Sequence, residues 1–241
     1  MNWLRALLFK TVFLGWTTIV AVYSLVPMAL NRRAHIFAMN AFWARSLNVL
    51  LRVICGVTVV IEGREHIPAG PALVAAKHQS LWDTAIIFDL FGTPAVVMKK
   101  ELLKIPIYGW LTRIQGMIAV DREGGGTALK QMLKDARAAR DAGRKIVIFP
   151  QGTRTRPGER AEYQSGVVAL YRDLKLPVLP IALNSGVFWP KKGMHHPSGT
   201  LILRFLPVIP AGLERDEFMA RLEHDIETAT AELEAKALPQ A

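Results

Sequence analysis

The stretch ALVAAKHQSLWDTAIIFDLF (Ala72–Phe91) decides the fold, because an apolar run leads through a short polar turn into an apolar segment with helical character. We interpret Ala72–Lys77 as a buried strand and Leu81–Phe91 as a helix. A strand that leads directly into a helix is the unit from which parallel sheets are built.

The same alternation of strand and helix continues from Val57 to the end of the chain. Seven runs rich in β-branched and apolar residues are predicted strands: Val57–Glu62, Ala72–Lys77, Pro94–Lys99, Gly116–Val120, Lys145–Pro150, Pro177–Leu183 and Leu201–Pro207. Five segments are predicted helices: Leu81–Phe91, Glu101–Ile114, Thr127–Gly143, Ser165–Lys175 and Glu214–Ala237. We therefore predict an α/β fold with a largely parallel sheet flanked by helices. The third of these helices should start at an N-cap Thr127 and stop at Gly143.

Before Gly56 the sequence has a different character, so we divide the chain into an N-terminal segment, 1–56, and an α/β domain, 57–241. Thr11–Leu30 contains no charged residue and would rise about 30 Å as a helix, roughly the thickness of a bilayer core. A signal peptide is the alternative, but the apolar run is long and no small-residue cleavage site follows it. We expect an uncleaved membrane anchor, either spanning the bilayer or returning within one leaflet as a hairpin.

The next stretch, His35–Val57, mixes apolar and aromatic residues with Arg45 and Arg52. This pattern favours an amphipathic interfacial helix, with Trp43 near the lipid head groups. A core helix of the α/β domain is the alternative that the pattern leaves open.

Composition narrows the classes of partner and of site. The 241 residues carry a formal net charge of +10, which favours anionic partners such as nucleic acid, acidic lipids or phosphorylated substrates. The basic clusters lack interleaved aromatic residues, and the apolar N-terminal segment also argues against nucleic acid. The single cysteine, Cys55, excludes an internal disulfide and a cysteine-rich zinc site, and the adjacent His195 and His196 belong to no metal-binding motif. We expect no metal and no cofactor.

Polar residues follow four of the predicted strands, where ligands gather in parallel sheets. The segments are HQSLWD (His78–Asp83), KKEL (Lys99–Leu102), DRE (Asp121–Glu123) and QGTRTRPGE (Gln151–Glu159). Their cations, Lys99, Lys100, Arg122, Arg154 and Arg156, would form a phosphate pocket if they share one rim. Ordinary charged surface loops are the alternative.

HQSLWD itself has two interpretations. Ser80 and Asp83 fit a capping box that starts the following helix. Alternatively, Asp83 accepts a hydrogen bond from one imidazole nitrogen of His78, and the other nitrogen takes a proton from a substrate hydroxyl. The two roles are compatible. No serine, cysteine or threonine has support as a covalent nucleophile, and there is no G-x-S-x-G elbow, so the chemistry suggested is direct attack by a hydroxyl on an activated acyl donor.

Four motifs in order, from His78 to Gly186, resemble those of the 1-acyl-sn-glycerol-3-phosphate (lysophosphatidic acid) acyltransferases, a family of membrane glycerolipid acyltransferases. They are HQSLWD, KKELLKIPIYGWLTRIQGMIAVDR (Lys99–Arg122), FPQGTRTRPGE (Phe149–Glu159) and LPVLPIALNSG (Leu176–Gly186), which contains Pro180. The resemblance implies that His78 is the base and Asp83 orients it. It also implies that Lys99, Arg122 and Arg154 bind the phosphate of the acceptor.

One position departs from the family pattern: Gln151 stands where the third motif usually has a glutamate. Glutamine keeps hydrogen bonding but not the charge, so a role that needs a carboxylate there is in question. The resemblance implies a monotopic membrane enzyme whose site faces the cytosol, with acyl-CoA or acyl carrier protein as the donor.

Our hypothesis is acyl transfer to the sn-2 hydroxyl of lysophosphatidic acid, giving phosphatidic acid. Backbone N–H groups near Gly152 and Thr153 are candidate oxyanion donors. Two alternatives stay open: the same chemistry on glycerol 3-phosphate, another lysophospholipid or a lyso-ornithine lipid, and a non-catalytic membrane protein that binds anionic lipid.

Overall fold

A computed structural model describes residues 3–122, 124–191 and 197–237. The described residues form one sheet of seven strands: β1 (Val57–Glu62), β2 (Leu73–Ala76), β3 (Ala95–Lys99), β4 (Ile118–Val120), β5 (Ile146–Ile148), β6 (Val178–Leu183) and β7 (Gly199–Phe205). They also form eight α-helices: α1 (Trp3–Ala29), α2 (Arg33–Leu50), α3 (Leu81–Phe91), α4 (Tyr108–Gln115), α5 (Gly125–Asp141), α6 (Gly166–Leu174), α7 (Ser185–Phe188) and α8 (Arg215–Ala237). All seven predicted strands are present.

The strands lie in the order β1-β7-β6-β2-β5-β3-β4, and every neighbouring pair is parallel except β6 and β7. The predicted α/β fold with a largely parallel sheet flanked by helices is therefore confirmed. The central strand β2 is buried along its whole length, as its uninterrupted apolar sequence predicts.

Helices cover both faces of the sheet, and the side chains of β2 alternate between them. Leu73 and Ala75 join the core beneath α5, α6 and α8, whereas Val74 and Ala76 join the core beneath α3. The Lys77 N–H donates to the carbonyl of Ile181, so the ladder extends one residue beyond β2.

The N-terminal segment is an antiparallel pair of helices. Trp16 donates to Ser46 at 2.6 Å and Trp43 donates to Thr17 at 3.1 Å, which joins α1 to α2. Trp43 therefore contacts α1, and its position near the lipid head groups stays a prediction. Of the described helices, α1 alone is long and apolar enough to cross a membrane, which favours a membrane-associated protein.

The alternative interpretation of the second N-terminal stretch, a helix that packs on the α/β domain, finds support in the contacts of α2 with α3. Trp82 of α3 donates to Asn48 at 2.7 Å, and Arg45 pairs with Asp89 at 2.6 Å. The helix begins at Arg33 and its last turn, Leu51–Cys55, is π-helical. Its interfacial role stays a prediction.

The single helix predicted over 101–114 is wrong. A 3₁₀ segment, Lys100–Lys104, is followed by α4, which begins at Tyr108. Pro106 lacks an N–H donor, and Ile107 has a φ of +64°, so the chain turns sharply between the two helical segments.

The predicted N-cap Thr127 is also wrong, since the N-cap of α5 is Gly124, three residues earlier, and the helix begins at Gly125. The Ala128 N–H closes the first turn onto the Gly124 carbonyl at 3.3 Å, so the helix starts within the glycine run. The predicted stop at Gly143 is confirmed: the helix ends at Asp141, and Gly143 has a φ of +73°.

Candidate active site

Four strand ends meet at one edge of the sheet, because β2, β5, β3 and β4 are neighbours and run in the same direction. The residues that follow them line one cavity of about 1410 Å³. Six of the seven predicted site residues lie on its wall: His78, Lys99, Arg122, Gly152, Thr153 and Arg154. The seventh, Asp83, lies behind His78 and is 1% exposed.

The imidazole of His78 contacts the carboxylate of Asp83. The Nδ1–Oδ2 distance is 3.0 Å, and the His78 side chain is 15% exposed. Phe149 stacks on the ring, with 4.2 Å between the ring centroids. No described residue makes a hydrogen bond to Nε2. Asp83 therefore holds the tautomer that carries its proton on Nδ1, which leaves the lone pair of Nε2 for a ligand.

Asp83 is held in turn by four further donors. Oδ2 also accepts from the backbone N–H groups of Gln79 at 2.6 Å and Ser80 at 2.8 Å. Oδ1 accepts from the hydroxyls of Ser80 at 2.9 Å and Ser185 at 2.5 Å. The Ser80–Asp83 capping box at the start of α3 is therefore present alongside the His78 contact. The capping box is therefore confirmed, and the His78–Asp83 contact that the second interpretation requires is present, whereas the role of His78 as a base stays a prediction.

The backbone of His78 is tied to the loop that follows β5. Its carbonyl accepts from the N–H of Thr155 at 2.9 Å and from the Thr155 hydroxyl at 3.2 Å. Its N–H donates to Gln151 Oε1 at 3.3 Å. Hydrogen bonds on both sides of the peptide fix the imidazole relative to this loop.

The basic residues on the cavity wall are much less constrained. Lys99 and Arg122 are exposed and Arg154 is half-buried. Within the described ranges, the side chains of Lys99 and Arg154 make no hydrogen bond or ion pair, whereas Arg122 donates to the Gly152 carbonyl. Unpaired cations beside a cavity attract an anionic group.

A glycine at position 152 allows the guanidinium of Arg122 to approach the backbone of this loop. Its φ is +66°, and a Cβ at this position would lie 2.7 Å from Nη2 of Arg122. The Gly152 N–H donates to the Phe149 carbonyl at 2.8 Å. The turn therefore already uses this N–H. The expectation that the N–H groups near Gly152 and Thr153 stabilise an oxyanion stays a prediction.

Apolar side chains also line the cavity. They come from the helical pair, from α3 and from α4, and include Val20, Ile36, Met39, Phe88 and Leu111. The cavity is thus lined by cations, by apolar side chains and by an imidazole. Such a site suits an amphiphile whose anionic head group lies near a hydroxyl.

Three residues of this site escaped the sequence analysis. Ser185 bonds to Asp83, Lys191 lines the cavity, and Lys77 is 1% exposed and pairs with Glu227 at 2.7 Å. Ser185 lies in the fourth motif, so its position could have suggested a role. Nothing in the local sequence marks Lys77, because a lysine that ends a strand is normally solvated.

The described residues contain no group of three or more His, Cys, Asp or Glu side chains able to hold a metal ion. The expectation that no metal or cofactor is needed stays a prediction. His195 and His196 lie outside the described residues.

Comparison with known proteins gives consistent matches. Residues 58–184 match the family described as Acyltransferase. The chain is 36% identical over 197 residues to the 1-acyl-sn-glycerol-3-phosphate acyltransferase of Pseudomonas aeruginosa, covering 82% of this chain and 77% of that protein. It is 28% identical over 233 residues to 1-acyl-sn-glycerol-3-phosphate acyltransferase alpha of Homo sapiens, covering 93% and 81%.

A solved structure agrees in fold. The crystal structure of the 1-acyl-sn-glycerophosphate (LPA) acyltransferase from Thermotoga maritima superposes with a TM-score of 0.79. The identity is 22%, and the match covers 98% of this chain and 100% of that chain.

Proposed function

The chain belongs to the acyltransferase family, and we propose that it transfers an acyl chain from a thioester donor to the sn-2 hydroxyl of lysophosphatidic acid. The observation that carries the proposal is the His78–Asp83 pair at a cavity lined by both cations and apolar side chains. The curated relatives named above support this choice of acceptor.

The reaction needs one base and no covalent intermediate. Nε2 of His78 removes the proton of the acceptor hydroxyl as its oxygen attacks the thioester carbonyl. The tetrahedral intermediate then collapses and expels the thiolate, which takes the proton back from the imidazolium. Asp83 stabilises the imidazolium through Nδ1, and the four other groups that donate hydrogen bonds to the Asp83 carboxylate keep this carboxylate oriented.

The cations bind the phosphate of the acceptor. Lys99, Arg122 and Arg154 share the cavity with His78, and the two arginines can each offer a pair of N–H donors to phosphate oxygens. The apolar wall formed by α1 to α4 receives hydrocarbon chains. An acceptor with its phosphate at the cations would present its hydroxyl to His78.

The donor and the location belong to the same proposal. Acyl-CoA or acyl carrier protein supplies the thioester from the cytosolic side, and α1 holds the protein on the cytoplasmic membrane. A lipid acceptor lies in the bilayer and a thioester donor lies in water, so a site beside a membrane-associated helix suits both.

A panel of acceptors tests the proposal. The purified protein in detergent receives labelled oleoyl-CoA, and in parallel oleoyl acyl carrier protein, with lysophosphatidic acid, glycerol 3-phosphate, a second lysophospholipid or a lyso-ornithine lipid. The proposal predicts that lysophosphatidic acid is the acceptor with the highest kcat/KM and that labelled phosphatidic acid is the product. Preference for another acceptor would keep the chemistry and refute the substrate, whereas binding of anionic lipid without turnover would refute both.

A further inference from the structure

A buried polar cluster lies directly beneath the active-site loop, on the face of the sheet that α8 covers. Glu227 of α8 is 6% exposed, and its carboxylate accepts four hydrogen bonds. Lys77 Nζ donates to both oxygens, at 2.7 and 2.9 Å. Gln151 Nε2 donates to Oε1 at 3.0 Å, as does the hydroxyl of Tyr163 at 2.9 Å. We call Lys77, Gln151, Tyr163 and Glu227 the Glu227 cluster.

The Glu227 cluster reaches the proposed base along two routes. Lys77 precedes His78 in the chain, and its side chain points to the face of the sheet opposite the imidazole. Gln151 spans the second route, since its amide group donates to Glu227 and its Oε1 accepts from the His78 N–H at 3.3 Å. The carboxylate therefore holds both the side chain before His78 and the peptide of His78 itself.

A second carboxylate of α8 makes similar contacts two helical turns later. Glu234, seven residues after Glu227 and so on the same face of α8, accepts from Gln79 Nε2. It also accepts from the Gly158 N–H at 2.8 Å. Thus α8, which carries none of the four motifs, contacts both the loop after β2 and the loop after β5.

We propose that Glu227 is a positioning residue for His78, and that the Glu227 cluster functions when one of positions 151 and 227 carries a carboxylate and the other carries an amide. The inference rests on the proposed function. A glutamate at 151 beside Glu227 would bring two carboxylates together in a buried site with one lysine between them. The amide at Gln151 avoids this repulsion and still accepts from the His78 N–H.

A double-mutant cycle tests the proposal through Glu227→Gln, Gln151→Glu and the exchanged pair Glu227→Gln/Gln151→Glu. Glu227→Gln leaves Lys77 buried without a carboxylate, and Gln151→Glu adds a second one. We expect each single change to lower kcat about tenfold or more, with a smaller change in KM for lysophosphatidic acid. The exchanged pair restores one carboxylate to the cluster, so its kcat should exceed that of both single variants.

Glu217→Gln is the matched control, because it removes the same charge from an exposed position in the first turn of α8, ten residues before Glu227. It should leave kcat within about twofold of wild type. A kcat for the exchanged pair equal to the product of the two single effects would overturn the proposal. So would single variants whose kcat equals that of wild type.

A readout that needs no acceptor separates this inference from the proposed function. The ¹⁵N resonances of the His78 ring, assigned by comparison with His78→Ala, should move in both single variants and return in the exchanged pair. If the resonances behave in this way but the wild-type protein is inactive on every acceptor, the proposed reaction is refuted and the positioning role is kept. Ring resonances that stay unchanged, while the melting temperature falls, would show a purely structural cluster and refute the inference.

Discussion

The two sides of the active-site cavity are built differently. On the side of the base, Asp83 is 1% exposed and accepts five hydrogen bonds, and the peptide of His78 is bonded at both its N–H and its carbonyl. On the cationic side, Lys99 and Arg122 are exposed, and the side chains of Lys99 and Arg154 make no hydrogen bond or ion pair with the described residues.

This difference matches what each side has to do. Proton transfer depends on distance and angle, so the base gains from hydrogen bonds that are complete before the substrate arrives. Attraction of a phosphate acts over several ångströms and tolerates movement of long side chains. We therefore expect changes on the base side to lower kcat, and changes on the cationic side to raise KM.

The largest effect should come from His78→Ala. A general base contributes about 10²–10⁴-fold, so kcat should fall by that factor while KM for lysophosphatidic acid changes little. Steady-state assays with labelled oleoyl-CoA measure both constants, and the melting temperature serves as the folding control. A kcat near that of wild type would show that His78 is not the base.

Arg154→Met should have the next largest effect, and this effect should be on KM rather than on kcat. Methionine keeps much of the side-chain length and removes the charge-assisted hydrogen bonds, worth about 1.5–3 kcal/mol each, toward the low end for a half-buried arginine. We predict a rise of about tenfold in KM for lysophosphatidic acid, with kcat within about threefold. A fall in kcat with an unchanged KM would show that Arg154 acts with His78 in turnover and not in phosphate binding.

Ser185→Ala tests how far the base side depends on its complete set of hydrogen bonds. The change removes one of the five donors to Asp83 and leaves the other four. One hydrogen bond to a charged acceptor is worth about 1.5–3 kcal/mol, much of which the remaining donors retain, so kcat should fall by about fivefold. Ser198→Ala, at an exposed position outside the residues that line the cavity, is the control. Equal activity of the two variants would show that Asp83 tolerates the loss.

Ionic strength should produce the smallest and most selective effect. Exposed cations are screened by salt, whereas the buried His78–Asp83 contact is screened much less. Raising salt from 0.05 to about 0.5 M should raise KM for lysophosphatidic acid a few-fold at nearly constant kcat. A neutral acceptor of the same chain length provides the control, since its KM should stay constant.

The sequence predicted the sheet and most of the site for one physical reason. The carboxyl ends of parallel strands meet at one edge, so polar residues after β2, β3, β4 and β5 had to be neighbours. His78, Lys99 and Arg154 follow from this argument and from the family resemblance. The exact helix starts did not follow, because the backbone of Gly124 to Gly126 accommodates a helical turn before the first good capping residue.

The Glu227 cluster was beyond the reach of sequence reasoning. Lys77 and Glu227 are 150 residues apart, and neither position differs locally from an ordinary charged surface residue. The packing of α8 across the sheet brings them together, and that packing is specified by apolar contacts rather than by the charges. The departure at Gln151 was visible, but its reason appeared only with Glu227 beside it.

The most direct test of this account compares His78→Ala, Arg154→Met and wild type on two acceptors, lysophosphatidic acid and the matching monoacylglycerol without phosphate. We predict that His78→Ala loses turnover on both acceptors, and that Arg154→Met loses only the preference for the phosphorylated one. Turnover by His78→Ala at the wild-type rate, or an equal loss on both acceptors in Arg154→Met, would contradict the division of the cavity into a base side and a phosphate side.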